Sequence, residues 1–258
     1  MSTPLAATGA VWDDTSSSTR VRSEATRVGP PRLVVKPTLL IVGLAYLVLT
    51  ALFVGLGLLV AHVLAHGAIG HWDVSVDRWF ASHRGRVWND LSAAGSQIAN
   101  TPAVIVVASV AALLLAWKRA WPAVALLVIG LVLEVSVFVS TTFVVDRDRP
   151  PVPKLDQAPP TSSFPSGHVA AAVVLCTLLA IIITGLVRKP PVSVALWVVA
   201  IVVPLGVGLS RLSRGMHHPT DVIAGVGLGV SCVLIALLAV AVAFPRQEAQ
   251  RYEPERER

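Results

Sequence analysis

The sequence predicts an all-α, polytopic membrane protein: a bundle of six transmembrane helices with one further helix lying at its outer surface. Of the 258 residues, 54% are hydrophobic and only 14% are charged. The mean hydropathy is +0.71, outside the range of a soluble domain of this length. Six apolar stretches approach the ~20 residues that a helical span requires, and clusters of basic residues fall between them in a regular alternation.

Residues 1–36 form a polar leader with a Ser/Thr cluster at 15–19. It is expected to be disordered and cytoplasmic, and the apolar run that follows is too long for a cleaved signal core. The expected spans are 37–63, 102–117, 122–145, 169–187, 192–209 and 222–244, the second being the shortest. Between the first two, Val76, Trp79, Phe80, Val87 and Leu91 recur at helical spacing beside Asp77, Arg78, Arg84 and Arg86. This pattern over 71–91 predicts an interfacial helix on the outer surface, either a packing lid with aromatic anchors or the wall along which a lipid tail enters. Residues 37–245 are read as one membrane domain without a fixed-period repeat. The arginines and glutamates of 246–258 read as a solvated cytoplasmic tail.

Orientation follows from the basic residues near the span ends. Arg20, Arg22, Arg27, Arg32 and Lys36 precede the first span; Lys118 with Arg119, Arg188 with Lys189, and Arg246 follow the second, fourth and sixth. With six spans all of these share one side, the cytoplasmic side of a plasma (inner) membrane, and both termini lie there. The segments 65–101, 146–168 and 210–221 then face outward. Arg147, Arg149, Lys154, Arg211 and Arg214 sit on that outer face against the positive-inside tendency, which points to an anion rather than topology as the reason for them.

Three polar motifs fall in these outward segments: Arg149-Pro150, Pro165-Ser166-Gly167-His168, and Ser210-Arg211 followed by His217 and Asp221. Ser166 and Gly167 precede an apolar helix, whose first N–H groups and dipole favour an anion. Gly167 permits close backbone approach, and Ser166 can cap the helix or donate its hydroxyl. His168 hangs at the same boundary. Arg149 and Arg211 offer planar forks that match phosphate oxygens, although a single juxtamembrane arginine more often snorkels to headgroups. His217 and Asp221 are four residues apart, so the carboxylate can hold one ring nitrogen and leave the other free to attack. Spacing alone does not choose between His217 and His218. Cys176 and Cys232 lie within spans without metal-ligand spacing and read as packing residues. Glu134 is the acid deep within a span, read as forming a structural hydrogen bond inside the bundle.

These motifs resemble the signature of the type 2 phosphatidic acid phosphatase superfamily of integral membrane lipid phosphatases: Lys-x6-Arg-Pro, Pro-Ser-Gly-His, and Ser-Arg-x5-His-x3-Asp. The resemblance covers about residues 37–244 and implies metal-independent hydrolysis of a lipid phosphate or diphosphate at the extracytoplasmic face, with no cofactor. It implies that His217 is the nucleophile that becomes phosphohistidine, that Asp221 orients it, and that His168 is the general acid. Arg149, Arg211, Ser166 and Gly167 would hold the phosphoryl group. For a bacterial membrane the favoured substrate is undecaprenyl diphosphate, with phosphatidylglycerol phosphate and phosphatidate as alternatives. The implied partners are the lipid substrate and the bilayer, not nucleic acid. A lipid-phosphate binding or transport protein is the second class, disfavoured by retention of both histidines and the aspartate. A vanadate-dependent haloperoxidase is the third, disfavoured by the six spans.

One position departs from the signature. Thr142 stands where the lysine of the first motif belongs, and a hydroxyl brings no charge. Arg147 or Lys154 is expected to reach the phosphate in its place.

Overall fold

The computed structural model describes residues 35–245. The expectations for the leader and the charged tail lie outside these residues, except that Val35 and Lys36 already belong to the first helix.

Eight helices follow one another: α1 (Val35–His62), α2 (Ala68–Ser82), α3 (Arg86–Ile98), α4 (Thr101–Trp117), α5 (Trp121–Val144), α6 (Gly167–Val187), α7 (Pro190–Ser213) and α8 (Pro219–Ala243), with a short 3-10 turn at Leu64–His66. No strand occurs among the described residues. Five helices, α1 and α5 to α8, are each long and apolar enough to cross a bilayer, and α3 with α4 forms a further candidate span bent by 48°. The protein is thus a multi-pass membrane protein with up to six spans. The short second stretch of the sequence is one arm of the bent pair.

The helix starts follow local chemistry. Proline occupies the first turn of α4, α5, α7 and α8, where its missing N–H costs no helical hydrogen bond. Asn100 caps α4, its side chain accepting from Ala103 N at 2.8 Å. Gly215, with φ +69°, turns the chain between α7 and α8, a conformation that a Cβ would strain.

The bundle is built around α6, which packs against α5, α7 and α8, while α1 closes the far side of α5 and α8. Its shared core includes Phe53, Val137, Phe164, Leu178, Leu228 and Cys232, each at most 4% exposed. Small residues permit the close approach, as expected where packing rather than solvent exclusion drives helix association. A Cβ on Gly229 of α8 would lie 2.7 Å from Val173 Cβ and 2.9 Å from the Ala170 carbonyl of α6. Glu134 is buried on α5, within electrostatic reach of Cys232 on α8. Contrary to expectation, its carboxyl forms no hydrogen bond among the described residues.

The outer helix departs further from its sequence reading. It is two helices, α2 and α3, broken at residues 83–85, and it turns two carboxylates inward. Asp73 and Asp77, one turn apart on α2, are 1% and 0% exposed, whereas Trp79, Val87 and Leu91 are 55%, 73% and 60% exposed. Phe80 alone of the apolar set is buried. Periodicity located the amphipathic stretch correctly, but which face turns inward is decided by the cationic groups waiting beneath it.

The close α6–α8 contact predicts that Gly229→Ala lowers the thermal midpoint in detergent, at an overpacking cost of about 1–3 kcal/mol. Gly185→Ala, where a Cβ meets nothing within 4 Å, is expected to leave the midpoint unchanged or raise it.

Candidate active site

The C-terminal ends of α5 and α7, the N-terminal ends of α6 and α8, and the connecting segment 145–166 meet at one end of the bundle. The backbone knits them together. Ser166 N–H donates to the Asp221 carbonyl at 3.0 Å, Ser163 N–H to the Arg147 carbonyl at 3.0 Å, and Leu155 N–H to the Arg214 carbonyl at 3.0 Å. The three polar motifs therefore converge as the sequence predicts.

His217 is 5% exposed. Its Nδ1 lies 2.7 Å from the Ser163 carbonyl oxygen, so Nδ1 carries the proton and donates it there. Nε2 is left as the free nitrogen. Asp221 Oδ2 stands 3.8 Å from Nδ1, too far for a hydrogen bond. The carboxylate therefore acts on the ring through its field, and the tautomer is set by a backbone carbonyl that no motif announces. Burial pushes the proton affinity of His217 below that of an ordinary histidine; Asp221 opposes this, while the charges of Arg211 and Arg149 add to it.

Arg149 donates from Nη1 to the Met216 carbonyl at 2.7 Å, and burial lowers its own proton affinity against the pull of Asp221. Arg211, in the last turn of α7, donates from Nη1 to Ser96 Oγ at 2.6 Å and to Asp156 Oδ2 at 3.0 Å. The Nε groups of both arginines are buried without a partner among the described residues, and so is the Ser166 hydroxyl. Ser166 occupies the N-cap position of α6 but makes no side-chain cap bond, so of its two expected uses the hydroxyl stays available for donation. His168, half-buried in the first turn of α6, lies within electrostatic reach of Arg211, His217, Asp156 and Arg149.

Gly167 has a further reason for being glycine beside the one its motif suggests. A Cβ there would sit 2.8 Å from the ring of Phe138 on α5. The α5–α6 contact itself thus excludes a side chain.

Sequence reasoning missed two groups of residues. Asp156 collects Arg214 Nε at 2.7 Å, Arg211, and the Ser96 hydroxyl at 3.1 Å. Burial raises its proton affinity, but the hydrogen bond and charge of Arg214 and the charge of Arg211 outweigh this and hold it below the usual carboxylate range. On the other flank, Asp73 pairs with Arg147 and Asp77 with His218 Nδ1 at 2.6 Å. Burial raises the proton affinity of Asp77 against His218. The i, i+4 spacing of Asp73 and Asp77 was the available signal, since two carboxylates on one helical face need a shared cationic partner or water.

The expected substitute for the lysine is also revised. Arg147 is 7% exposed and bonded through one terminal nitrogen to Asp73 and through the other to Asp221 and Thr220, so it is not free to meet a phosphate. Thr142 donates to its own helix at the Val139 carbonyl, 2.9 Å away. Lys154 is exposed at the rim of a cavity of about 530 Å³ that Thr142 and Arg149 also line.

Two arginines, a serine and two histidines gathered at one end of a multi-pass helical bundle define the class: a helical membrane protein with a polar, cationic cluster at one end. Residues 121–245 match the profile of the PAP2 superfamily. Its fold is similar to that of the transmembrane PAP2-type phosphatidylglycerolphosphate phosphatase of Bacillus subtilis, at 19% identity and a TM-score of 0.60 over 76% of this chain and 92% of that one. It is also similar to Aquifex aeolicus LpxE, at 22% identity and a TM-score of 0.52 over 65% of this chain and 95% of that one. No curated protein matched the sequence.

Two outcomes follow from the site geometry. In nitrogen-15 NMR of the histidine-labelled protein, His217 is expected to carry its proton on Nδ1 and to stay neutral at pH 6.5, becoming charged only at lower pH. Replacing Lys154 with alanine is expected to raise KM several-fold with little change in kcat, the pattern for a residue that contributes to binding alone.

Proposed function

We propose that the protein is a phosphohydrolase acting on a lipid phosphate or diphosphate, through a covalent phosphohistidine intermediate and without a metal ion. The observation that carries this reading is the set of buried donors without partners, Arg149 Nε, Arg211 Nε and Ser166 Oγ, around a histidine whose Nδ1 proton is fixed on a carbonyl. Unmet buried donors are costly in a folded protein, and a phosphoryl group supplies the acceptors that three such donors lack.

In this reading His217 Nε2 attacks phosphorus from its lone pair. A P–N bond forms as the P–O bond to the leaving group breaks, and His168 gives its proton to the departing oxygen. The imidazole becomes positive on phosphorylation, and Asp221 at 3.8 Å stabilises that charge. Arg149, Arg211, Ser166 and the N-terminus of α6 oppose the negative charge on the equatorial oxygens, the largest contribution to rate in phosphoryl transfer. Water then attacks phosphorus and gives its proton to His168. The P–N bond breaks, and orthophosphate leaves a neutral His217.

The distribution of basic residues supports an extracytoplasmic location for this end of the bundle, and undecaprenyl diphosphate is the substrate we favour there. A second reading, phosphatidylglycerol phosphate, draws on the likeness to the Bacillus subtilis phosphatidylglycerolphosphate phosphatase.

Phosphate release from purified protein in detergent, with a chelator present, tests the proposal with undecaprenyl diphosphate, phosphatidylglycerol phosphate and phosphatidate in parallel. His217→Ala is expected to abolish release, and Arg149→Lys and Arg211→Lys to reduce kcat by about 10²–10³. Labelled phosphate is expected to be trapped as an acid-labile, base-stable adduct on the wild type alone. Chelator-sensitive release, or release that survives loss of His217, would refute the mechanism.

A further inference from the structure

Asp73 lies on α2, outside every segment of the superfamily signature, and is buried beside the N-terminus of α8. Its Oδ1 accepts from Thr220 N–H at 3.1 Å, and its Oδ2 accepts from the Thr220 hydroxyl at 2.7 Å and from Arg147 Nη2 at 2.7 Å. Arg147 Nη1 donates in turn to the Thr220 hydroxyl at 2.8 Å and to Asp221 Oδ1. Asp221 Oδ2 accepts from His218 N–H at 2.8 Å. The result is a closed chain, Asp73–Arg147–Asp221, each member at most 7% exposed, with Thr220 cross-linking its first two links. Such a chain fixes Asp221 in position and in charge, because a guanidinium shared between two carboxylates partly neutralises both.

We infer that Asp73 and Arg147 are positioning residues, which hold the Asp221 carboxylate opposite His217 and set how strongly it favours the cationic ring formed on attack. This rests on the reading of His217 as the nucleophile. The arrangement also explains why Arg147 does not take the place of the missing lysine, since both ends of its guanidinium are already committed.

The chain carries one net negative charge, and its variants change that charge in opposite directions. Asp73→Asn leaves it neutral, Arg147→Gln doubles its negative charge, and the double variant restores the wild-type value. The other charged or titratable groups around His217 stay in place: Arg211 from α7, Arg149 and Asp156 from the segment 145–166, His168 from α6, and the Asp77–His218 pair from α2 and the start of α8. A less negative neighbour disfavours the imidazolium and a more negative one favours it. The pH midpoint of His217 is therefore expected to fall in Asp73→Asn and to rise in Arg147→Gln. By Coulomb's law at an effective dielectric constant of about 20, each shift is on the order of one pH unit. The double variant is expected to return close to wild type.

The experiment is a pH titration of the histidine ring resonances in the full-length, nitrogen-15-labelled protein in detergent, with His217 assigned through His217→Ala. The acid limb of kcat for phosphate release is measured on the same samples. Opposite shifts with recovery in the double variant support the inference. A midpoint that moves the same way in both single variants, or in neither, overturns it, because a merely structural role lowers activity in all three without reversing sign. Arg147→Lys keeps the charge and is expected to leave the midpoint near wild type. If Arg147→Gln does not fold, a midpoint in Asp73→Asn that stays put or rises overturns the inference by itself. Absence of phosphate release from the wild type would defeat the phosphatase reading while the titration still decides this one.

Discussion

Two stretches of chain that lie far apart in sequence, the segment 145–166 and the start of α8, meet on Asp221, and the site depends on that meeting. Its backbone carbonyl receives the Ser166 N–H at the start of α6, and its carboxylate receives His218 N–H at the start of α8 and Arg147 from the segment after α5. A fully buried carboxylate is tolerated only when its oxygens are bonded and its charge is countered. Meeting that requirement also sets the relative height of α6 and α8, and with it the separation of His168 and His217.

The same requirement divides the polar end of the bundle into two parts with different tasks. Around Asp221 and Asp73 the charges are closed upon one another, and no terminal nitrogen of Arg147 is spare. Around Arg149 and Arg211 they are incomplete, each Nε lacking a partner among the described residues although Arg149 is anchored to carbonyls and Arg211, through Nη1, to a hydroxyl and Asp156. Anchoring holds a guanidinium in a fixed orientation before any ligand arrives. Preorganisation of this kind is the main way in which a protein exceeds water as a solvent for a developing charge.

Much of this was legible in the sequence, and the failures have identifiable causes. Span positions could be read because a bilayer demands long apolar runs whatever the tertiary contacts, and α5, α6 and α8 begin within three residues of the expected positions. The motif residues could be read because their spacing places them at helix ends. The inward face of α2 could not be read: amphipathicity assigns carboxylates to water unless cations are known to lie beneath, and Arg147 and His218 are some seventy and one hundred and forty residues away from Asp73 and Asp77. The carbonyl that holds His217 was equally hidden, since backbone acceptors have no signature. A packing reason for Gly167 was hidden as well, because the ring that crowds its side chain belongs to another helix.

Asp156 has a consequence for which anions the end of the bundle can hold. The guanidiniums of Arg211 and Arg214 share this one carboxylate, and Arg149 joins Arg211 and Asp156 around His168, so these three cations and one anion carry an excess of two positive charges. A phosphate monoester dianion brings that cluster to electroneutrality, whereas a sulfate monoester, of the same tetrahedral shape but a single charge, leaves one positive charge buried and unbalanced. Discrimination between the two oxyanions then follows from charge counting at a desolvated surface and requires no difference in shape.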